Sequence, residues 1–405
     1  MLTREENDLL TQVSGDAPMG RMMRQHWWIP AAVSEKLEAD GAPQRIRLFG
    51  ANYVAFRATD GRVGFFDEAC PHRGASMALA RNEDNALRCI YHGWKFSVDG
   101  VTVAVPTQPN NEAEYCKHVP LNHFPVRESG GVVWVWLGEG DTPPPFTKFV
   151  FDDLPAGHTI AFRQKVKANW LQGVETTMDS AHLGVLHQSA MRGMGDIGLS
   201  SANMAPVYQV EQKNYGFRYA SIRTLGEDRT YVRTNSFVLP WYGVIAPPKS
   251  TSSAGNFFFS VPIDDENIWY WNIVYSVDEP VEITSNLTYL DADSWPPGAP
   301  GDAENNWGQD REVMKRGHFT GFPQALGTED FAVIESMGTI VDRTKEFLGS
   351  GDGAVVQVRR CLLAAVRDFM QGKTPGYAQH SDIDYPNIKP VAAVFSGEAR
   401  WQDML

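Results

Sequence analysis

The chain has 405 residues, 43% of them hydrophobic and 21% charged, a globular balance too long for one small core, so two domains are expected. Its 36 basic against 49 acidic side chains leave a net charge of −13, which argues against a nucleic-acid-binding surface. The charged start MLTREENDLL, the lack of any apolar run of about 18 residues and a count of only 4 cysteines point away from secretion, a membrane span or a disulfide framework, and toward a cytoplasmic protein.

Residues 3–14, TREENDLLTQVS, predict a short helix with Thr3 and Glu6 in capping-box spacing, and residues 1–26 form an N-terminal helical segment. From HWWIPAAV the texture changes to short β runs: RIRLFGANYVAFRA, GRVGFFDEA and ALRCIYHGWKFSV. Asp99-Gly100 is a hairpin turn signal, and GGVVWVWLG at 130–138 closes the β-rich stretch. The prolines of GDTPPPF mark a linker, so domains are expected at 27–143 and 144–405.

The β-rich part contains CPHRGASMALARNEDNALRCIYHG, residues 70–93. Cys70 and His72 form one pair, Cys89 and His92 a second, with 16 residues between them. Two sulfur and two nitrogen ligands suit tetrahedral zinc, but zinc fingers pair cysteine with cysteine and histidine with histidine. Mixed pairs in two glycine-flanked loops fit a Rieske [2Fe-2S] cluster better, in which two cysteines hold one iron and two histidines the other. Tyr91 and Trp94 are candidate donors near the sulfurs. Cys116 and Cys361 stand alone and read as structural.

Beyond the linker a strand at about 158–167 precedes KANWLQGVETTMDSAHLGVLHQ, which reads as helical. The strand-like stretches GFRYASIRTL, TYVRTNSFVLPWYGVIAPP, NFFFSVPI and IWYWNIVYSV follow, then a loop-rich region at 284–310. TEDFAVIESMGTIVDRTKEFLG and GAVVQVRRCLLAAVRDFMQG predict two helices. The fold class is α+β: an all-β module, then a mixed module. Within the first helix, Asp179, His182 and His187 are spaced Asp-x2-His-x4-His. Non-heme Fe(II) oxygenases bind iron through two histidines and one carboxylate, leaving positions open for O2. Residues five apart lie about 140° apart around an ideal helix, so the helix is expected to break between His182 and His187, with Gly184 the natural place.

CPHRGA, CIYHGWKF and NWLQGVETTMDSAHLGVLH resemble the Rieske non-heme iron oxygenases, in particular the branch that includes phthalate dioxygenases and aromatic-acid O-demethylases. The resemblance runs from LTREENDLLTQVSGDAPMGRMMRQHWWIPA through most of the chain. It implies an N-terminal all-β Rieske domain and a helix-grip (START-like) catalytic domain with an antiparallel sheet. It also implies mononuclear Fe(II) on His182, His187 and a distant aspartate that falls on Asp330 in GTEDFAVIESMG, with Glu329 as the alternative ligand. Asp179 would bridge His182 to His92, or His72, of a neighbouring subunit in a homotrimer or hexamer. Where the family often carries an amide near this bridge, VETTMD has Glu175 and Thr176.

No GxGxxG opens a helix after a strand, GSGDG at 349–353 reads as a loop, and no four-cysteine ferredoxin pattern is present. Electrons must therefore come from a separate partner; the resemblance implies a flavin and iron-sulfur reductase, or a ferredoxin, drawing on NAD(P)H. The expected reaction is hydroxylation of an aromatic carboxylate of the phthalate or chlorobenzoate kind, with O-demethylation of methoxylated aromatic acids as the alternative. The rival classes are a Rieske electron carrier and a non-catalytic ligand-binding module. Phe237, Trp241, Tyr242, Phe257, Phe259, Trp269, Trp271 and Trp307 are candidate walls for an apolar cavity. Of the strand arginines Arg218, Arg223 and Arg233, the last lies in a buried-looking strand and is the candidate for a substrate carboxylate.

Overall fold

The computed structural model describes residues 2–226, 228–249, 253–282, 301–323, 326–396 and 400–404. Two compact units emerge, Met23–Phe146 and Met1–Met22 with Thr147–Leu405. The chain opens with α1 (Arg4–Thr11) and α2 (Pro18–His26). Thr3 caps α1: its Oγ1 accepts from the Glu6 amide at 3.1 Å, and Glu6 Oε2 accepts from the Thr3 amide at 3.1 Å.

The first unit holds β1 (Ile29–Val33), β2 (Gln44–Leu48), β3 (Ala51–Arg57), β4 (Val63–Asp67), β5 (Arg81–Glu83), β6 (Ala86–Arg88), β7 (Lys95–Ser97), β8 (Thr102–Ala104), β9 (Val126–Ser129) and β10 (Val132–Val135), with the one-turn α3 (Glu112–Cys116). They form antiparallel sheets in the orders β1-β10-β9, β2-β3-β4 and β5-β6-β7-β8. The β7–β8 hairpin turns at Asp99-Gly100, as the dipeptide predicts, with the Gly100 amide on Ser97 O at 2.9 Å. Val54, Phe56, Phe66, Met77, Leu87 and Phe96 build a core into which Cys70, Cys89 and Trp94 also pack.

The second unit is organised around an antiparallel sheet of β11 (Thr159–Val166), β12 (Val207–Lys213), β13 (Gly216–Thr224), β14 (Arg229–Val238), β15 (Tyr242–Ile245), β16 (Ala254–Pro262) and β17 (Ile268–Ser276), in the order β11-β17-β16-β15-β14-β13-β12. A further strand, β18 (Ala392–Ser396), pairs with β14. The helices are α4 (Trp170–Met178), α5 (Arg311–Lys315), α6 (Leu326–Ser336) and α7 (Gly353–Met370). The helix-grip relation is visible where α4 packs closely on the sheet over glycines. A Cβ on Gly173 would sit 2.4 Å from Ser260 Oγ, and one on Gly243 would sit 2.3 Å from Thr177 Cγ2. Trp170, Leu171, Val174 and Met178 are buried, each contributing roughly 1.5–3 kcal/mol.

The sequence reading is corrected at four places. The predicted helix over 167–188 ends at Met178, because Asp179 takes an extended conformation (φ −77°, ψ 112°); after it come a 3-10 turn at His182–Gly184 and further turns. The break therefore precedes His182, and Gly184 instead gives room to Ser200 O, 2.5 Å from where its Cβ would be. The helix predicted over 328–349 stops at Ser336, just before Gly338 in a left-handed conformation (φ +86°). Two strands are not anticipated: β12, partly exposed, lacks the apolar run that marks the other strands, and β18 is the short run AAVFS near the C-terminal end of the described residues. Of the expected loop at 284–310, residues 284–300 lie outside the described residues, and Ala303–Gly308 forms short 3-10 turns kinked at Asn305–Trp307.

Candidate metal centres

The two Cys-His loops are built alike. The Cys70 amide donates to Ala75 O and the Gly74 amide to Cys70 O, each at 2.8 Å; the Cys89 amide donates to Trp94 O at 2.8 Å and the Gly93 amide to Cys89 O at 2.9 Å. Gly74 and Gly93 close the loops at φ +74° and +76°. Cys70 and Cys89 are buried as free thiols, and the His72 and His92 rings meet edge to face with centroids 4.6 Å apart. Burial, with the Cys89 sulfur beside it, pushes the Cys70 thiol up to about 11, against the pull of the His72 and Arg73 amides. His92 Nδ1 is buried and makes no hydrogen bond among the described residues. Two enclosed sulfurs, paired imidazoles and an orphaned ring nitrogen fit a cluster with Cys2His2 ligation.

Trp94 and Tyr91 do not serve the sulfurs in the way the sequence suggests. Trp94 stacks on His72 at 4.4 Å with rings 8° apart, and its Nε1 donates to Thr107 Oγ1 at 3.2 Å. Tyr91 packs on His92 at 3.8 Å, and the Arg73 guanidinium lies over the Tyr91 ring at 5.4 Å. Both act on the histidine rings.

In the second unit His182, His187 and Asp330 come together, with one ligand atom from each lying within 4.8 Å of the others. Asp330 Oδ1 is 3.0 Å from His187 Nε2 and 3.6 Å from His182 Nε2. Despite that closeness, His187 Nε2 and Asp330 Oδ1 are buried without a hydrogen-bond partner among the described residues. Two orphaned atoms aimed at one shared space are what a divalent cation would satisfy, so the donor set fits iron.

Each histidine has a second carboxylate behind it. Glu329 Oε2 is 2.6 Å from His187 Nδ1, and both side chains are wholly enclosed. Thr320 Oγ1 donates to the other oxygen of Glu329. Asp179 Oδ2 is 3.5 Å from His182 Nδ1, while its Oδ1 accepts from the Ala181 amide at 2.7 Å. Glu329 thus orients the back of His187 and does not share the convergence point, which corrects its reading as an alternative ligand. The sequence held a usable signal: neighbours on a helix differ by about 100°, so Glu329 and Asp330 can flank one imidazole. Burial would raise the Asp330 carboxyl, but His187 and His182 outweigh it and hold it low. Burial would likewise depress His187, yet Asp330 and Glu329 hold its imidazolium up at about 10.

Glu175 turns away from this centre into a buried network, with Arg343 Nη2 at 2.8 Å and Arg359 Nε at 2.6 Å. Thr176 lines the cavity onto which the triad opens. Glu335 accepts from the Lys167 amide at 2.9 Å and from Trp307 Nε1 at 3.0 Å, which is a structural role.

That cavity measures about 650 Å³, and His182, His187 and Asp330 form part of its wall. Its aromatic lining is Phe162, Phe258, Tyr270, Phe322 and Phe331. None of the eight aromatics picked from the sequence lines it; Phe257, Phe259 and Trp271 point from the same strands to the other face, where they are fully buried. Arg218 pairs with Glu211, and Arg223 donates to Ser180 O at 2.6 Å. Arg233 does line the cavity, wholly buried, with Nη1 on Tyr231 Oη (3.2 Å) and Pro247 O (3.1 Å) and Nη2 on Ala246 O (2.5 Å). Its Nε makes no hydrogen bond and no carboxylate pairs with it among the described residues.

Comparison with known proteins follows the same division. Residues 27–125 match the family described as Rieske [2Fe-2S] domain, and residues 135–404 match LigXa C-terminal domain like. The chain is 38% identical over 423 residues to the phthalate 4,5-dioxygenase oxygenase subunit of Pseudomonas putida, covering 100% of this chain and 94% of that protein. It is 29% identical over 386 residues to the 5,5'-dehydrodivanillate O-demethylase oxygenase subunit of a Sphingobium species, covering 93% and 83%. A solved structure of the Pseudomonas putida CBB5 NdmA QL mutant with theobromine shares the fold, with a TM-score of 0.62 at 16% identity over 95% of this chain and 100% of that one.

Proposed function

This chain belongs to the Rieske oxygenases that carry a LigXa-like C-terminal domain, and from that premise we propose that it is the oxygenase component of a multicomponent system that hydroxylates an aromatic carboxylate. Its cofactors are a Rieske [2Fe-2S] cluster and a mononuclear iron, which when bound supply single-electron transfer and dioxygen activation. Cys70 and Cys89 hold one iron of the cluster and His72 and His92 the other. His182, His187 and Asp330 hold the mononuclear iron, while Glu329 fixes His187 from behind and Asp179 stands 3.5 Å behind His182.

The observation that carries the substrate reading is the Arg233 cation. It lines the same cavity as the triad, is wholly buried and has no carboxylate partner among the described residues. Burying an unpaired guanidinium is unfavourable, and an anionic ligand in the cavity offsets that. Phe162, Phe258 and Tyr270 give the ring its apolar walls. The chain has no nucleotide-binding motif, and electrons come from a separate partner, a flavin and iron-sulfur reductase or a ferredoxin fed by NAD(P)H. Asp179 bridges to the Rieske histidine of a neighbouring subunit in a homotrimer or a hexamer; native mass measurement of a monomer with full activity overturns that part. Among the described residues no helix is long and apolar enough to cross a membrane.

The deciding experiment is single turnover of the reduced protein with labelled dioxygen and a panel of aromatic acids, read by mass spectrometry. A cis-diol with both labelled atoms makes it a ring dioxygenase. A phenol with formaldehyde released from a methoxy acid makes it an O-demethylase, the activity named for the Sphingobium relative. Absence of any oxygenated product from reduced, iron-replete protein overturns the proposal.

A further inference from the structure

We infer that Gln164 and Asn272 form an acceptor pair in the cavity wall that receives the amino group of a one-ring aminated aromatic acid. The inference rests on the reading of Arg233 as the carboxylate's partner and names what the ring carries at its other edge.

Gln164 and Asn272 line the cavity and are 3% and 9% exposed. Gln164 Oε1 and Asn272 Oδ1 are both buried and make no hydrogen bond among the described residues. Other buried carboxamides of this unit find partners. Asn169 donates to Thr11 O (2.9 Å) and Asp265 O (2.7 Å), while Asn235 donates to Tyr219 Oη (2.8 Å) and accepts from the Ala246 amide (3.0 Å). The hydroxyl of Tyr270, directly across from Gln164, is engaged with Thr177 Oγ1 at 2.8 Å. Thr177 gives its own proton to Gly173 O at 2.8 Å, so the Tyr270 proton goes to Thr177 and is not free for the pair. Buried amide oxygens ordinarily find a donor, so two that share a cavity wall and lack one point to a ligand that brings it.

Their placement selects the donor. Gln164 faces Tyr270 across the β11–β17 ladder and Asn272 faces Phe162, so the two amides are diagonal neighbours on one face. Such neighbours stand roughly 7 Å apart at the backbone and somewhat less at Cβ, close enough for one small group to touch both. A hydroxyl carries one proton and satisfies one of the two oxygens, whereas an amino group carries two N–H bonds and satisfies both. On an aromatic ring the amine is uncharged near neutral pH, so it donates twice without burying an unpaired charge. Phe162 and Phe258 sit directly across from Asn272 on either side and give the ring apolar faces. Arg233 stands on β14 and reaches in the direction of the pair: its Nη atoms bond Pro247 O and Ala246 O, just beyond β15, the strand between β14 and β16. With the carboxylate on Arg233, a meta or para amine is turned to the two amides and an ortho amine is not.

The test is equilibrium dialysis of the iron- and cluster-loaded protein against 3- and 4-aminobenzoate, the matching methylbenzoates and nitrobenzoates, aniline, and 2-aminobenzoate with 2-methylbenzoate. Methyl matches the amine in size but donates nothing, and nitro only accepts. In the unaltered protein the better of 3- and 4-aminobenzoate binds about tenfold tighter than its methyl counterpart. Its nitro counterpart binds no better than the methyl compound, and 2-aminobenzoate gains nothing over 2-methylbenzoate. Gln164→Met and Asn272→Leu each bring the amino-to-methyl ratio toward one. A ratio near one in the unaltered protein, as when water already serves both amides, overturns the inference without any variant. So does a preference for nitro over methyl, an equal gain for 2-aminobenzoate, or a ratio that survives both substitutions. Failure of the underlying reading looks different. If Arg233→Met leaves the preference for aminobenzoate over aniline unchanged while the amino-to-methyl ratio persists, Arg233 is not the carboxylate's partner and the acceptor pair still holds its amine.

Discussion

His187 Nδ1 and Glu329 Oε2 face each other at 2.6 Å with no solvent exposure on either side chain. This contact fixes the imidazole so that Nε2 is the atom turned to Asp330. Glu329→Gln keeps the size but loses the charge. Its expected effect is a loss of affinity of roughly 10–100-fold for iron, or for cobalt as a spectroscopic substitute, with the visible spectrum of the cluster unchanged. Retained metal affinity removes Glu329 from its positioning role.

The same pair sets a pH dependence. Burial favours the neutral imidazole, but Asp330 and Glu329 hold His187 protonated up to about 10 in metal-free protein. A raised folded value means that the stability this group contributes is complete below the ordinary histidine range and is lost as pH rises through about 10. A divalent metal must displace that proton, so apparent affinity rises by about tenfold per pH unit over the neutral range. Calorimetric titration with cobalt in buffers of different ionisation enthalpy counts the proton released; none released contradicts the assignment.

Glu175 carries a stability prediction. Burial would raise its carboxyl, but Arg343 and Arg359 hold it below the usual carboxylate range. A depressed folded value contributes stability above the ordinary carboxylate range that is lost as pH falls through the lowered one. Glu175→Gln leaves Arg343, which is fully buried, without its carboxylate, and the expected loss is ~3–5 kcal/mol by urea unfolding at neutral pH. The gap between variant and parent narrows on acidification; a gap constant down to the acid range refutes the charge argument.

Cys70→Ser separates the two metal centres. It abolishes the brown chromophore, because the buried thiol at that loop is one of two sulfurs available there. The second unit, which folds around its own sheet, keeps its mononuclear iron. Loss of both metals together, by metal analysis of the folded variant, contradicts that independence.

How much of this was legible in the sequence depends on the range of the interactions. The Thr3–Glu6 capping box and the Asp99-Gly100 turn are local and read correctly. The convergence of His182 and His187 with Asp330 is legible only through family resemblance, since Asp330 lies 143 positions beyond His187. The stop of α4 at Asp179 has no glycine or proline to announce it in MDSAHL; it comes with the carboxylate turning back onto the Ala181 amide and toward His182. The cavity aromatics were missed for a different reason. Along NFFFSVPI phenylalanines fall on both faces of β16, so no polar alternation reveals which of them look toward the triad.

That placing of aromatics on both faces has a consequence for how this protein can change. The helix and turn segments on one side supply His182, His187 and Asp330, while alternate residues of β11, β16 and β17 supply Phe162, Gln164, Phe258, Tyr270 and Asn272. Side chains two apart on a strand share a face, and those one apart do not. Exchange at 258, 272 or 274 therefore redraws the space in front of the metal without disturbing 257, 259 or 271, which hold the sheet from behind. Selectivity and scaffold are written in interleaved positions of the same strands, and one can drift while the other stays put.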